Sequence, residues 1–113
     1  MTPEQVKQLT DYVQERCLWQ FFSRTWDRQE NIDGITAAAG ALLKGEAPKR
    51  TTPAERLHYA DALVMVADFK QRFPWIATAS HAEIDTLLAG MKAQVEDISI
   101  KSSLNHELNH TLY

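Results

Sequence analysis

Near the carboxyl end, His106, Glu107 and His110 spell H-E-x-x-H. On a helix that spacing sets two imidazoles one turn apart on one face, able to bind zinc, with the glutamate as general base of a hydrolase. Such a site needs a third protein ligand, which zinc peptidases take from downstream of the motif. Here only Thr111, Leu112 and Tyr113 follow, and none is a usual zinc ligand. A chain end also lacks the surrounding groups that orient imidazoles and the walls that exclude water. The zinc-hydrolase reading is therefore the weaker one.

Other groups with chemical potential lack partners at chemical spacing. Cys17 is the single cysteine, so it makes no internal disulfide and no thiolate cluster for zinc or iron-sulfur binding. It reads as a small hydrophobe. Ser23, Ser80, Ser102 and Ser103 have no glycine-elbow context, and the four glycines form neither G-x-G-x-x-G nor a P-loop. Tyr12, Tyr59, His58 and His81 read as core edges or caps.

A recognition surface is better supported. Leu18 to Trp26, LWQFFSRTW, holds four of the chain's ten aromatics, and one helical face cannot bury them all. Leu18 and Phe21 extend a core stripe, whereas Trp19, Phe22 and Trp26 recur at three- and four-residue steps on a second face. That face either meets another part of the protein or is a docking patch. Trp and Arg are the residue types that carry interface hot spots, and Arg24 and Arg28 flank it.

Helices must position these groups. Thr2, Pro3 and Gln5 form a helix-start signature, followed by Val6, Leu9, Val13 and Cys17 on one apolar stripe. Ile32, Ile35, Ala39, Leu42 and Leu43 predict a second helix over roughly 28–44, closed by Gly45. Residues 45–52, GEAPKRTT, read as an exposed, locally basic loop, more simply solvated than a specific anion site. Thr52, Pro53 and Glu55 open a third helix with two apolar stripes: Leu57, Ala60, Val64 and Ala67 on one, Tyr59, Leu63, Val66 and Phe73 on the other. A helix apolar on so wide an arc is expected at the centre of the bundle, ending before Pro74. Ser80 and Glu83 open a fourth, with Ile84, Leu87, Leu88, Met91, Val95 and Ile98 on its stripe. From about residue 98 the polar sequence is expected to be an extended tail or one short turn lying on a surface. The fold class is all-α: one domain over 1–113, a small bundle of about four helices with that tail.

Bulk properties set limits on partners. With 113 residues, 44% hydrophobic and 24% charged, the chain has a globular balance and the size of one domain. A net charge of −3 and pI near 5.7 give no electrostatic reason to expect nucleic acid or anionic lipid. No spanning segment or signal-peptide stretch is evident, so a cytoplasmic location is expected.

Glu15 to Arg28, ERCLWQFFSRTWDR, with Tyr59-Ala60-Asp61-Ala62, Arg72-Phe73-Pro74-Trp75 and the closing Asn105 to Tyr113, NHELNHTLY, resembles the delta subunit of vanadium nitrogenase. The resemblance covers nearly the whole chain and extends to the delta subunit of iron-only nitrogenase. Phe22 and the short amino terminus point to the vanadium branch. The resemblance implies an alpha2 beta2 delta2 dinitrogenase whose alpha and beta subunits hold the P-cluster and the iron-vanadium cofactor. Delta then sits mainly against alpha, supplies no cluster ligand, and supports cofactor insertion and dinitrogen reduction driven by an iron protein. On this reading Trp19, Phe22, Trp26, Trp75, His110 and Tyr113 form much of a partner-binding surface, with Arg24 and Arg28 at its rim. A zinc hydrolase and a free-standing adaptor that leaves after cofactor insertion are the alternatives.

Overall fold

The computed structural model describes residues 1–22 and 28–111, with side chains omitted for Arg28 and for 99–111. No strand occurs among the described residues. Helix α1 spans Pro3–Tyr12, a π-helical turn Val13–Cys17 joins it to α2, Leu18–Phe21, and α3 is Arg28–Leu43. Helix α4 is Pro53–Arg72, a 3-10 turn covers Pro74–Thr78, and α5 is His81–Thr111. None of the described helices is long and apolar enough to cross a membrane.

Three helix starts use the same device. The Thr2 hydroxyl accepts from the Gln5 N–H while the Gln5 side chain accepts from the Thr2 N–H, at 3.1 and 2.8 Å. Thr52 with Glu55, and Ser80 with Glu83, repeat the exchange. Each pair satisfies two backbone donors that the first helical turn leaves without partners. The end of α3 is set by Gly45, at φ 78°. Its N–H donates to Leu42 O, and the Glu46 N–H donates to Ala41 O at 2.8 Å, the double bond of a Schellman stop.

The π turn has a sequence cause. Leu9, Val13, Cys17 and Phe21 recur every fourth residue, and all are buried. In a helix of 3.6 residues per turn such a repeat drifts by about 40° per step. The wider turn, closed by the Leu18 N–H to Val13 O, absorbs the drift and holds all four side chains in the core.

Helix α3 packs against both α4 and α5. Its small residues permit this: a Cβ on Gly34 would collide with the His58 imidazole of α4, and one on Gly40 would crowd Leu88 of α5 at 3.1 Å. Across the α1–α4 contact, Tyr12, Phe69 and Phe73 form an edge-to-face triad with centroids 5.3 to 6.0 Å apart, a favoured aromatic geometry. Asp68, the one buried charged residue among those described, accepts from Tyr12 Oη at 3.0 Å and pairs with Arg16 Nε at 2.6 Å.

Two expectations are corrected here. The third predicted helix, α4, is not enclosed at the centre of the bundle: it packs on α3 and on Tyr12 and Arg16, and its remaining side faces solvent. The whole stripe Leu57, Ala60, Val64 and Ala67 faces outward on α4. Residues 99–111, expected as an extended tail or short turn, instead continue α5 as helix in their backbone. Extending a helix already nucleated by its apolar first half costs far less than starting one.

Candidate docking surface

Trp19 is 74% exposed on α2. Around it, Leu9, Tyr12, Val13, Cys17 and Phe21 are all buried, and the indole is the most exposed large apolar side chain among the described residues.

Phe22, assigned by spacing to the same outer face, is buried at 2% exposure. The helix ends at Phe21, and Phe22 has φ −126° and ψ 14°. Those angles rotate its side chain off the helical projection and into the core beside Phe21, ring centroids 6.1 Å apart. Trp75 is half-buried, its ring 6.0 Å from that of Phe73, and its enclosed Nε1–H has no acceptor among the described residues. Arg24, Trp26 and Tyr113 lie outside the described residues, as do the side chains of Arg28 and His110. The backbone at His106, Glu107 and His110 is helical, and their side chains are likewise outside the described set. Trp19 and Trp75 are thus the two proposed docking residues whose side chains are described and reach the surface, and Phe22 is withdrawn from that surface.

Sequence reasoning missed the larger apolar surface on α4. Leu57 is 68% exposed, Leu63 46% and Val64 40%. The signal was present as two apolar stripes on one helix. Choosing the outer one requires knowing where α3 lies.

Basic groups in and beside the 45–52 loop are engaged locally. Arg50 stacks on the Tyr59 ring at 4.7 Å, Lys44 pairs with Asp85 of α5, and Arg56 donates to Thr51 O at 3.1 Å.

Burial pushes the Cys17 thiol up to about 12, assisted by the nearby Asp68 carboxylate. A thiol so held is a poor nucleophile and a poor metal ligand, since both roles need the thiolate. Tyr12 is driven far above its ordinary range, first by burial and then by Cys17 and Asp68, and acts as a hydrogen-bond donor only. Among the described residues no group of three His, Cys, Asp or Glu side chains is arranged to hold a metal ion. The described residues therefore offer no cradle for a metal cluster.

A small helical protein with an uncovered tryptophan and an uncovered apolar helix face is of the class that works by assembling with other chains. Residues 3–113 match the family described as vanadium/alternative nitrogenase delta subunit, and the chain belongs to that family. It is 41% identical over 109 residues to the nitrogenase iron-iron protein delta chain of Clostridium pasteurianum, covering 96% of this chain and 94% of that one. The corresponding delta chain of Rhodobacter capsulatus is 35% identical, covering 93% and 91%. That of Rhodospirillum rubrum is 34% identical, covering 97% and 95%.

Proposed function

We propose that this chain is a non-catalytic subunit of an alternative dinitrogenase, docking on the alpha subunit and supporting cofactor insertion and dinitrogen reduction by the complex. In the assembly we infer, alpha2 beta2 delta2, the alpha and beta subunits hold the P-cluster and the cofactor, and an ATP-driven iron protein supplies electrons. The relatives named as iron-iron delta chains, each matched over more than nine-tenths of both sequences, favour the iron-only branch over the vanadium branch suggested by Phe22.

The observation that carries the docking role is Trp19, 74% exposed on α2 while Tyr12, Val13, Cys17 and Phe21 beside it are buried. Free-chain exposure of an indole costs apolar hydration that docking would recover, and tryptophan is enriched among the residues that dominate interfaces.

The test is co-expression with alpha and beta subunits of an alternative nitrogenase, followed by purification through a tag on this chain. Equimolar recovery of alpha, with iron and no vanadium in the cofactor, is expected. Vanadium in that cofactor would return the chain to the vanadium branch. Recovery without alpha would refute the docking role.

A further inference from the structure

Helix α4 carries an uncovered apolar stripe and helix α2 an uncovered indole, and two ion pairs determine how they lie. Arg72 Nη1 meets Glu15 Oε2 at 3.0 Å and Arg16 Nε meets Asp68 Oδ2 at 2.6 Å. One step forward from Glu15 to Arg16 thus accompanies a turn backward from Arg72 to Asp68, an antiparallel register. On that register Trp19, three residues past Arg16, comes level with residues 64–65 of α4. Leu57, Ala60, Val64 and Ala67 recur along α4 at three- and four-residue steps, and all are exposed, which sets them on one face. Asp68, which faces Arg16, lies one turn beyond Val64 on the same side of α4, so the stripe borders the side that Arg16 occupies.

We propose that this stripe, with Trp19 along its edge, is a groove for an amphipathic helix of the larger nitrogenase subunit whose carboxylates meet Arg56 and Lys70. The proposal rests on the reading of this chain as a nitrogenase subunit and names the surface and the chemistry of its partner.

Charge selects the occupant. The protein is acidic, at −3, yet the exposed charges on α4 are Arg56, Lys70 and Asp61. The acid Glu55 is engaged in capping, and Asp68 is buried. Arg56 and Lys70 stand near the two ends of the stripe, about 21 Å apart along the axis. A partner helix with carboxylates at matching separation fits. A second copy of this chain does not: two stripes meeting antiparallel bring Arg56 of one within about a turn of Lys70 of the other, at both ends, and like charges so placed repel. Area argues the same way. The stripe, about 15 Å long on a helix about 10 Å across, covers about 150 Å², far short of the roughly 800 Å² per partner that a stable dimer buries. It suits the apolar centre of a larger interface between unlike chains.

The experiment compares the full-length chain with Ala60→Asp/Val64→Asp and with Arg56→Glu/Lys70→Glu, each titrated onto alternative dinitrogenase lacking its delta subunit. All four positions are exposed, and matched thermal melts of the free chains verify folding. Val64→Ala keeps the site apolar and serves as a second probe. A loss of affinity of about tenfold or more is expected for the double aspartate variant. The charge reversal should slow association and flatten its dependence on salt. Wild-type binding with both double variants unchanged overturns this groove and leaves the subunit reading intact. Absence of wild-type binding overturns the subunit reading and the groove with it. A wild-type dimer in sedimentation that the aspartates dissolve would assign the stripe to a second copy and overturn the proposal.

Discussion

Replacing Asp68 probes the part-buried ionic contact that ties α1 and the π turn to α4. Its Oδ2 takes both the Tyr12 hydroxyl at 3.0 Å and the Arg16 guanidinium at 2.6 Å. Tyr12→Phe removes one donor and leaves the carboxylate paired, so the loss is one hydrogen bond to a charged group, about 2 kcal/mol. Asp68→Ala strands two donors at once. The Tyr12 hydroxyl, on a residue with 0% exposure, then has no acceptor, at about 1–3 kcal/mol. Arg16 adds less, because its side chain is 40% exposed and water can replace the lost partner. Asp68→Ala should therefore cost about 3 kcal/mol, and the double variant no more than Asp68→Ala alone, since the phenol has nothing left to lose. Urea unfolding followed by far-ultraviolet circular dichroism measures all three, with an unchanged m-value showing that the unfolded state is comparable. An Asp68→Ala cost no larger than that of Tyr12→Phe, or strict additivity in the double variant, would refute the shared-acceptor account.

Phe22→Ala should cost about 3–5 kcal/mol of stability as a buried aromatic truncation, whereas Trp19→Ala should leave the melting temperature nearly unchanged and weaken alpha-subunit capture; equal stability losses would contradict the burial difference. Gly45→Ala places a Cβ in the left-handed region and should destabilise by about 1–2 kcal/mol, measurable by thermal denaturation. The Glu55 carboxyl accepts first from the Thr51 hydroxyl and then from the Thr52 N–H, holding it near 2 against an ordinary 4.5. Because that pKa is depressed in the folded state, its contribution is complete above about 4.5 and is lost as pH falls toward 2. Carbon-detected NMR titration should put its midpoint near 2, and a midpoint near 4.5 would dissolve the capping argument. Cys17, buried with its thiol raised to about 12, should resist iodoacetamide at pH 8 until denaturant is added; prompt labelling of the native chain would mean that the α1–α4 contact opens readily.

The helix starts at Thr2, Thr52 and Ser80, the stop at Gly45 and the core stripe of α5 were legible in the residues themselves, because capping and amphipathic periodicity act within a few positions of one another. The same locality explains why Cys17 was legible as core: it falls on a stripe that begins with Leu9. Family membership was legible too, through long, unusual segments such as ERCLWQFFSRTWDR. Which of the two α4 stripes faces solvent was not legible, since that depends on Gly34 and Gly40 bringing α3 close to both α4 and α5 across distant parts of the chain. Phe22 was misassigned for a related reason. Three-residue spacing from Trp19 implies a shared face only while the helix continues, and here it stops at Phe21. The residues alone determined the helix starts, the stop at Gly45 and the family; the tertiary packing decided which apolar groups the protein keeps and which it leaves for a partner, because burial depends on where neighbouring helices can approach.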